Sequence, residues 1–355
     1  MSSRRWPVHR FLTAARPLCI GLAVLLCLVC LPACQGTSFC VLKEDYAMAT
    51  RVTLRLFGKQ SEEMESAATE LLREVHALEG KLSWRLDSSE TAQVNAAAGS
   101  NQPVLAPEAA GILRRVLPVG EQSGWLFNPA VGPLTRLWDI GGEQQRLPGG
   151  DEIAAVLPLC RVDGVAVDGD EVELLFPQMA LDLGAVGKGA ACDLLRRGFQ
   201  ERNIEAAVAT VGGSVVTYGK KPDGGSWSVA VRDPADSAET LGTILVEGTA
   251  FLSTSGDYER YFEQDGVRYH HLLNPFTGYP GSSGLTSVTV LCDNGAVADA
   301  LSTAAFLLGA EDGKKLLGTF GAEGIFVAQD GQIFLTQGMA ERFELKAGSG
   351  YRVAA

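Results

Sequence analysis

The feature that most constrains the fold is a series of short apolar runs separated by glycine-rich turns. Val52, Leu54 and Leu56 alternate with polar residues, which predicts a strand with one buried face. Further strands are predicted at residues 166–167, 172–176, 207–211, 215–218, 227–231, 243–246, 287–292 and 324–328. Neighbouring strands joined by short turns favour hairpins. We therefore expect an α+β class, with mixed or antiparallel sheets and flanking helices, and not a regular doubly wound sheet.

Helices are predicted where apolar residues recur every three or four positions. The first is expected to begin with Ser61 as its capping residue and to end near Gly80. Its apolar positions are Met64, Ala68, Leu71, Val75, Leu78 and Leu82. Two more helices are expected over residues 187–200 and 296–308. Residues 141–151, which are rich in Gly, Gln and Pro, are predicted to form a loop.

The N-terminal segment has the composition of an export signal. Residues 1–33 contain four arginines and no acid, and their apolar run, residues 19–31, is shorter than the roughly 20 residues that span a membrane. The following Leu31-Pro32-Ala33-Cys34 looks like a bacterial lipoprotein cleavage site, with Cys34 as the acylated residue. We expect a lipid-anchored protein on the periplasmic side of a bacterial membrane. Plain secretion and an uncleaved anchor are the alternatives.

These features divide the chain into four parts. We expect a signal peptide over residues 1–33, a tether over 34–45, one globular domain over 46–345 and a C-terminal tail over 346–355. Without the signal, 26 Lys and Arg remain against 42 Asp and Glu, a net charge of −16. So acidic a domain is not expected to bind nucleic acid, and any phosphate must be held locally by a metal or a few directed groups.

The cysteines predict neither a disulfide framework nor a metal site. Of the eight, only Cys160, Cys192 and Cys292 lie well inside the globular part, and no C-x-x-C occurs there. A zinc site or a redox pair is therefore not expected, and these three are predicted to be buried thiols.

A glycine-rich segment over residues 181–190 is a first candidate for chemistry. Glycines at a strand-to-helix turn let backbone groups approach a charged ligand, and Lys188 suits phosphate. The segment is not a Walker loop, because Asp182 stands where the first glycine is needed and Gly189 where Ser or Thr would bind magnesium. Alone, it fits either a phosphate site or an ordinary helix start.

A second candidate is the pair Asp299 and Thr303, four residues apart in a predicted helix and so on one face. A carboxylate beside a hydroxyl is an oxygen pair of the kind that Mg²⁺ accepts. The alternative is a capping Asp with a Thr that bonds back to its own helix.

Histidine provides a third candidate, at residues 269–278. His270 and His271 are adjacent, so in an extended segment they point opposite ways, and no third ligand with suitable spacing supports zinc. His271 could act as an acid or a base, and a structural role is equally consistent with the sequence. Residues 254–258 add hydroxyls and a glycine, but no G-x-S-x-G motif of a serine hydrolase.

Short blocks resembling one family follow each other along nearly the whole mature chain. They are Met48-Ala49-Thr50, residues 82–88 with Asn95, residues 127–134 with Leu137-Trp138, residues 182–189, Val211-Gly212-Gly213, and residues 254–258, 271–278 and 298–303. Together they resemble the ApbE family of FAD:protein FMN transferases. Each block is weak alone, but their shared order is specific.

The resemblance implies roles at the matching positions. Mg²⁺ would be held by Asp299, Thr303 and the backbone oxygen of Ala185, with His271 and Asp299 as the catalytic candidates. Contacts to the flavin nucleotide are implied for Met48, Trp84, Leu126, Phe127, Asn128, Asp182, Lys188 and Leu273. A cation together with Lys188 would neutralise the FAD pyrophosphate at one point, which suits a protein whose general charge is acidic.

The implied reaction is Mg²⁺-dependent transfer of FMN from FAD to a Thr or Ser hydroxyl of an acceptor protein, with release of AMP. The family's acceptors are typically subunits of membrane redox complexes or other extracytoplasmic electron carriers. An FAD pyrophosphatase that uses water in place of the acceptor is one alternative. A flavin-binding lipoprotein without turnover is another.

Four positions depart from the family pattern. Asn128 stands where Asp is usual, Ser214 where Asn often follows Gly-Gly, and Asn274 where Asp precedes Pro. Ala49 replaces a glycine. The first three alter polar groups near the expected pocket, so affinity or acceptor choice is expected to depend on them.

Overall fold

A computed structural model describes residues 39–236 and 238–354. The predicted signal peptide and Cys34 lie outside the described residues. Everything from Phe39 onward forms one compact unit. In this part of the chain, no helix has both the length and the apolar character needed to cross a membrane.

A nine-stranded sheet forms the centre of the domain, in the order β1-β2-β6-β7-β10-β13-β14-β15-β17. Its strands are β1 (Phe39–Ala47), β2 (Thr50–Gly58), β6 (Ala206–Val211), β7 (Ser214–Tyr218), β10 (Ala250–Gly256), β13 (Leu285–Cys292), β14 (Glu323–Ala328), β15 (Gln332–Leu335) and β17 (Arg352–Val353). Neighbours pair antiparallel, apart from β15 and β17, which are parallel. The α+β class with antiparallel sheets is confirmed.

Three smaller sheets surround the central one. They are formed by β3 (Val104–Leu105) with β4 (Val165–Asp168) and β5 (Glu171–Leu174), by β8 (Trp227–Arg232) with β9 (Thr240–Val246) and β16 (Phe343–Leu345), and by the hairpin of β11 (Tyr261–Gln264) and β12 (Val267–His270). The predicted strands from residue 166 onward all occur, with ends shifted by at most a few residues.

The described residues form nine α-helices. They are α1 (Ser61–Leu82), α2 (Glu90–Ala96), α3 (Pro107–Gln122), α4 (Gly132–Trp138), α5 (Gly150–Val156), α6 (Gly184–Glu201), α7 (Gly295–Leu308), α8 (Ala310–Thr319) and α9 (Gln337–Ala340). The predicted capping role of Ser61 is wrong. Gln60 occupies the capping position without a side-chain bond, and Ser61 is the first helical residue.

Two apolar layers enclose the central sheet. On one face α1, α6 and α7 pack against strands that include β2 and β13, and Leu54, Leu195 and Leu301 are fully buried there. Helix α3 packs on α1 and α7. On the other face the β8-β9-β16 sheet packs through Trp227, Ile244 and neighbouring residues against β14 and β15. The helical layer places the starts of α6 and α7 beside β10, where the candidate site lies.

The observed domain extends beyond the predicted boundaries at both ends. Part of the predicted tether is strand β1, which pairs with β2 along its whole length. Part of the predicted tail is β17, which pairs with β15, and Tyr351 beside it donates a hydrogen bond to Asp233. Both segments therefore belong to the folded unit.

Candidate functional site

A cavity of about 630 Å³ lies where the β1–β2 turn, the start of α6, the end of β10 and the middle of α7 meet. All twelve residues that the resemblance implicated line it. They are Met48, Trp84, Leu126, Phe127, Asn128, Asp182, Ala185, Lys188, His271, Leu273, Asp299 and Thr303. Segments separated by as many as 255 positions in the sequence (from 48 to 303) thus form one site, and the roles implied for these residues remain predictions.

The β1–β2 turn lies at one edge of the cavity. Met48 and Ala49 both have left-handed backbones, with φ of 55° and 54°, as a two-residue hairpin turn requires. A residue with a Cβ is strained in this region, which explains why glycine suits the second position. In this protein Ala49 occupies the position, so its backbone is strained.

The start of α6 is fixed by backbone bonds and by a close helix contact. Asp182 Oδ1 accepts from the Gly184 N–H at 2.8 Å, which sets the turn into the helix. A Cβ at Gly189 would lie 2.0 Å from the Gly295 carbonyl oxygen, so α6 and α7 touch through their backbones. This contact explains why Gly189 stands where a Walker loop has Ser or Thr, because no side chain fits there.

Asp299 is 2% exposed and lies at the centre of a hydrogen-bond cluster. Its Oδ1 accepts from Ser214 Oγ at 2.7 Å and from Ser253 Oγ at 2.5 Å, and its Oδ2 accepts from Gly189 N at 2.6 Å. Ser214, at the position where the family often has Asn, therefore bonds directly to this carboxylate. Asp299 does not cap its helix: Asn294 does, through Val297 N.

The donor set fits a cation. In the described chain, no Lys or Arg lies within ion-pair distance of Asp299, so a buried carboxylate lacks a direct counter-charge. The Gly189 N–H donates to Asp299 Oδ2, and Ala185, one turn earlier in α6, lines the same cavity. Among the described residues no cluster of three or more His, Cys, Asp or Glu side chains could hold a metal, so hydroxyl or backbone oxygens would have to complete its coordination.

Lys188 and Glu259 bring opposite charges to the same cavity wall. Lys188 makes no ion pair or hydrogen bond within the described residues, so its ammonium is free to meet a bound anion. Burial raises the pKa of Glu259, and the nearby Lys188 lowers it by less. Glu259 was not predicted from the sequence, and no motif drew attention to it.

The two histidines have separate environments, as their adjacency predicted. His270 is buried, with Nε2 3.0 Å from the Gly281 carbonyl oxygen and its ring edge-on to Phe306. His271 lines the cavity, and its Nδ1 lies 3.2 Å from the Arg260 carbonyl oxygen. That oxygen can only accept, so Nδ1 carries the hydrogen and Nε2 is left as an acceptor in the neutral ring.

The protonation of His271 follows from its surroundings. Although its ring keeps partial contact with solvent through the cavity, protein atoms enclose the imidazole and cannot replace the hydration of an imidazolium. This burial, together with the cations of Lys188 and Arg260, lowers the pKa of His271 from 6.5 to about 3. The ring is therefore neutral at neutral pH.

Trp84 is flanked by two guanidinium groups that the sequence did not single out. The Arg85 guanidinium lies 4.2 Å from the centre of the indole ring and that of Arg136 lies 5.2 Å from it. Arg85 also pairs with Asp139. The aromatic wall of the cavity thus carries positive charge in a protein that is acidic overall.

Two departures from the family pattern have local explanations. Asn128 donates from Nδ2 to the Cys160 carbonyl at 2.8 Å and accepts from Ala130 N at 2.8 Å, so both ends of its amide hold backbone. Asn274 Oδ1 accepts from Phe276 N at 2.9 Å, a bond that an Asp would make equally well. The amide of Asn128 supports the cavity wall, and its implied flavin contact remains a prediction.

Sequence comparison identifies relatives along most of the chain. A profile of the ApbE family matches residues 48–326. The FAD:protein FMN transferase of Treponema pallidum is 31% identical over 341 residues, 90% of this chain and 94% of that protein. The FAD:protein FMN transferase of Klebsiella pneumoniae (strain 342) is 32% identical over 310 residues, 86% of this chain and 94% of that protein.

Solved structures show the same fold. The ApbE protein of Thermotoga maritima superposes with a TM-score of 0.78 at 29% identity, over 86% of this chain and 99% of that one. The flavinyl transferase ApbE of Pseudomonas stutzeri gives a TM-score of 0.75 at 28% identity, over 87% and 98%. With a profile match over most of its length and full-length relatives above 30% identity, this chain belongs to the ApbE family.

Proposed function

We propose that the protein is an FAD:protein FMN transferase, which moves FMN from FAD to a Thr or Ser hydroxyl of an acceptor protein and releases AMP. The observation that carries the proposal is the convergence of all twelve implicated residues on one cavity. The relatives' names support the same activity.

A magnesium ion is proposed as the cofactor. Asp299, Thr303 and the Ala185 carbonyl would hold it, and its charge would stabilise the charge that develops on the phosphate oxygens of FAD. The buried carboxylate of Asp299, which has no Lys or Arg partner among the described residues, and the position of Ala185 and Thr303 in the same cavity support this set.

The protein's own groups would position the reactants. Lys188 would pair with the pyrophosphate, and Trp84 would pack against an aromatic ring of the dinucleotide. The acceptor hydroxyl would attack the phosphorus on the FMN side, a new P–O bond would form, and the P–O bond to AMP would break. His271 Nε2 would accept a hydrogen bond from that hydroxyl, orienting it and receiving its proton as the bond forms.

The decisive experiment supplies FAD, Mg²⁺ and an acceptor peptide that contains Thr or Ser. Fluorescent flavin that stays on the peptide in a denaturing gel, with one AMP released for each flavin attached, is the expected result. Replacing Asp299 by Ala should abolish the transfer. Undiminished transfer by the Asp299→Ala variant would remove the assigned metal site.

The same assay separates the alternatives. An FAD pyrophosphatase would release AMP and free FMN without labelling the peptide, because water would replace the acceptor hydroxyl. A flavin-binding lipoprotein would bind FAD and release no AMP. The presence of the buried Asp299 and of Lys188 in one cavity favours turnover over simple storage.

We also propose that Cys34 is acylated and anchors the enzyme on the periplasmic side of a bacterial membrane. There it would reach acceptors in membrane or extracytoplasmic redox complexes. The basic start, short apolar run and Cys34 of the sequence support this location. Labelling with a radioactive fatty acid should mark the parent protein and not a Cys34→Ala variant.

A further inference from the structure

Five hydroxyl side chains surround the proposed cation site, and only one of them was implicated as a ligand. They are Ser214, Ser253, Ser255, Ser302 and Thr303. Four come from β7, β10 and α7 and are buried, and Thr303 faces the cavity. Each hydroxyl has a single hydrogen to donate, so their directions can be worked out one by one.

The directions at the carboxylate are fixed first. Asp299 Oδ1 can only accept, so Ser214 and Ser253 both donate to it, at 2.7 and 2.5 Å. Two donors occupy both lone pairs of Oδ1. Oδ2 has one donor, Gly189 N, and keeps one lone pair for a further partner.

The next hydrogen belongs to Ser302. Its Oγ lies 2.9 Å from the Asp299 carbonyl oxygen, which can only accept, and 3.3 Å from Ser253 Oγ, whose hydrogen already points at Oδ1. In both contacts Ser302 holds the only available hydrogen, which points mainly to the nearer acceptor, the Asp299 carbonyl. The hydrogen of Ser302 is therefore directed away from Ser255.

The remaining directions follow from that one. Ser255 Oγ lies 2.8 Å from Ser302 Oγ, and two oxygens at this distance without a hydrogen between them would repel, so Ser255 donates to Ser302. Ser255 Oγ also lies 3.3 Å from Thr303 Oγ1. With its own hydrogen engaged, Ser255 can only accept there, and Thr303 is the donor.

We infer that Ser255 and Ser302 form a directed hydroxyl chain, Thr303 to Ser255 to Ser302 to the Asp299 carbonyl, which turns the lone pairs of Thr303 toward the cavity and prepares it to bind a cation. Ser255 is a positioning residue, since it acts through Thr303. The inference rests on the proposed function, because it explains how the proposed metal ligands are held. It adds that the folded protein by itself presents lone pairs, and no hydroxyl hydrogen, to the cation.

The test measures cation binding directly, with Mn²⁺ as the probe and electron paramagnetic resonance as the readout, on the full mature protein. Ser255→Ala removes the acceptor of the Thr303 hydrogen, and we expect Mn²⁺ affinity to fall about 10-fold or more, as for other groups that orient metal ligands. FAD affinity in the presence of EDTA should stay unchanged. A general loss of structure would lower both.

A second variant tests the hydroxyl chain at Ser302. Ser302→Ala frees the hydrogen of Ser255 to point at Thr303, so Mn²⁺ affinity should again fall, although no hydroxyl next to the cavity is lost. The matched control is Thr289→Val, which removes the buried hydroxyl of Thr289 from its pair with Thr254 (2.9 Å) beside the same strand. Its Mn²⁺ affinity should equal that of the parent.

Two results would overturn the inference, and they are distinguishable. If the parent binds Mn²⁺ and both serine variants bind it within about twofold of the parent, the hydroxyl chain does not prepare the site. If the parent binds no Mn²⁺ at all, the proposed cation site is wrong. The role inferred for the hydroxyl chain in preparing that site is then wrong as well.

Discussion

The backbone N–H of Gly189 donates to Asp299 Oδ2 at 2.6 Å, and this bond ties α6 to α7 at the point where the two helices touch. The glycine has two effects there. It lets the α7 backbone approach closely, and its N–H holds the Asp299 carboxylate in place. The position of the proposed metal ligands thus depends on a residue that has no side chain.

Replacing Gly189 by Ala should destabilise the protein severely, because its Cβ would meet the Gly295 carbonyl, a backbone atom that cannot move aside alone. We expect a loss of roughly 3 kcal/mol or more in the free energy of unfolding, at the high end for overpacked sites. The measurement is urea denaturation followed by circular dichroism. Gly80→Ala in α1, where a Cβ meets nothing within 4 Å, is the control and should stabilise by about 0.5–1 kcal/mol.

Replacing Ala49 by Gly should stabilise the protein. Ala49 has a φ of 54°, and glycine adopts this left-handed region without steric cost. The expected gain is about 1 kcal/mol, read as a higher urea midpoint with unchanged slope. Ala47→Gly, in the neighbouring strand β1 and 2% exposed, should instead lower the midpoint. A destabilised Ala49→Gly variant would contradict the strain assigned to this turn.

Replacing Asn128 by Asp, the residue more usual in the family, should destabilise this chain. A carboxylate cannot donate to the Cys160 carbonyl, so two acceptors would face each other in a buried place. We expect a loss of about 1–3 kcal/mol near neutral pH, measured by thermal unfolding. The exposed Asn101, which also has a left-handed backbone, provides the control, and Asn101→Asp should change stability little.

The stability of the fold should fall as the pH drops from about 6.5 toward 3, in part through His271. In this window the unfolded chain binds a proton at His271 and the folded chain does not, because burial lowers its folded pKa from 6.5 to about 3. Protonation therefore favours the unfolded state. Stability measured against pH should have a shallower slope in His271→Gln than in the parent.

Nuclear magnetic resonance gives an independent measurement of the same group. The His271 ring signal, identified by its loss in the His271→Gln variant, should not shift between about pH 5 and 8 in the metal-free protein. A midpoint near 6.5 would show that the ring is solvated and that the pH dependence has another source.

The sequence predicted the strands well because apolar and polar residues alternate along a strand that has one buried face. Val52, Leu54 and Leu56 are all fully buried in β2. Strand β1 was not predicted, because Phe39, Leu42 and Tyr46 are apolar but exposed and so interrupt the alternation of apolar and polar residues. Helix α3 was not predicted, because Gly111 and Pro118 lie within it. Gly111 and Pro118 have low helical propensity, but the packing of α3 against α1 and α7 overrides it.

The site was predictable only where a residue type suggested its own chemistry, as for Asp299, Lys188 and His271. The serine cluster was missed, although its signal was present: strand periodicity places Ser253 and Ser255 on one face of β10 and Thr254 on the other. The arginine Arg136 beside Trp84 could not be found, because it lies 52 positions away in the sequence and only the fold brings it to the indole.

Because the cavity draws on stretches from the first hairpin to α7, it exists only in a finished fold. A chain synthesised no further than residue 290 would lack Asp299 and Thr303, two of the residues that line the cavity. The cavity is therefore complete only after synthesis has passed α7 and these distant segments have folded together.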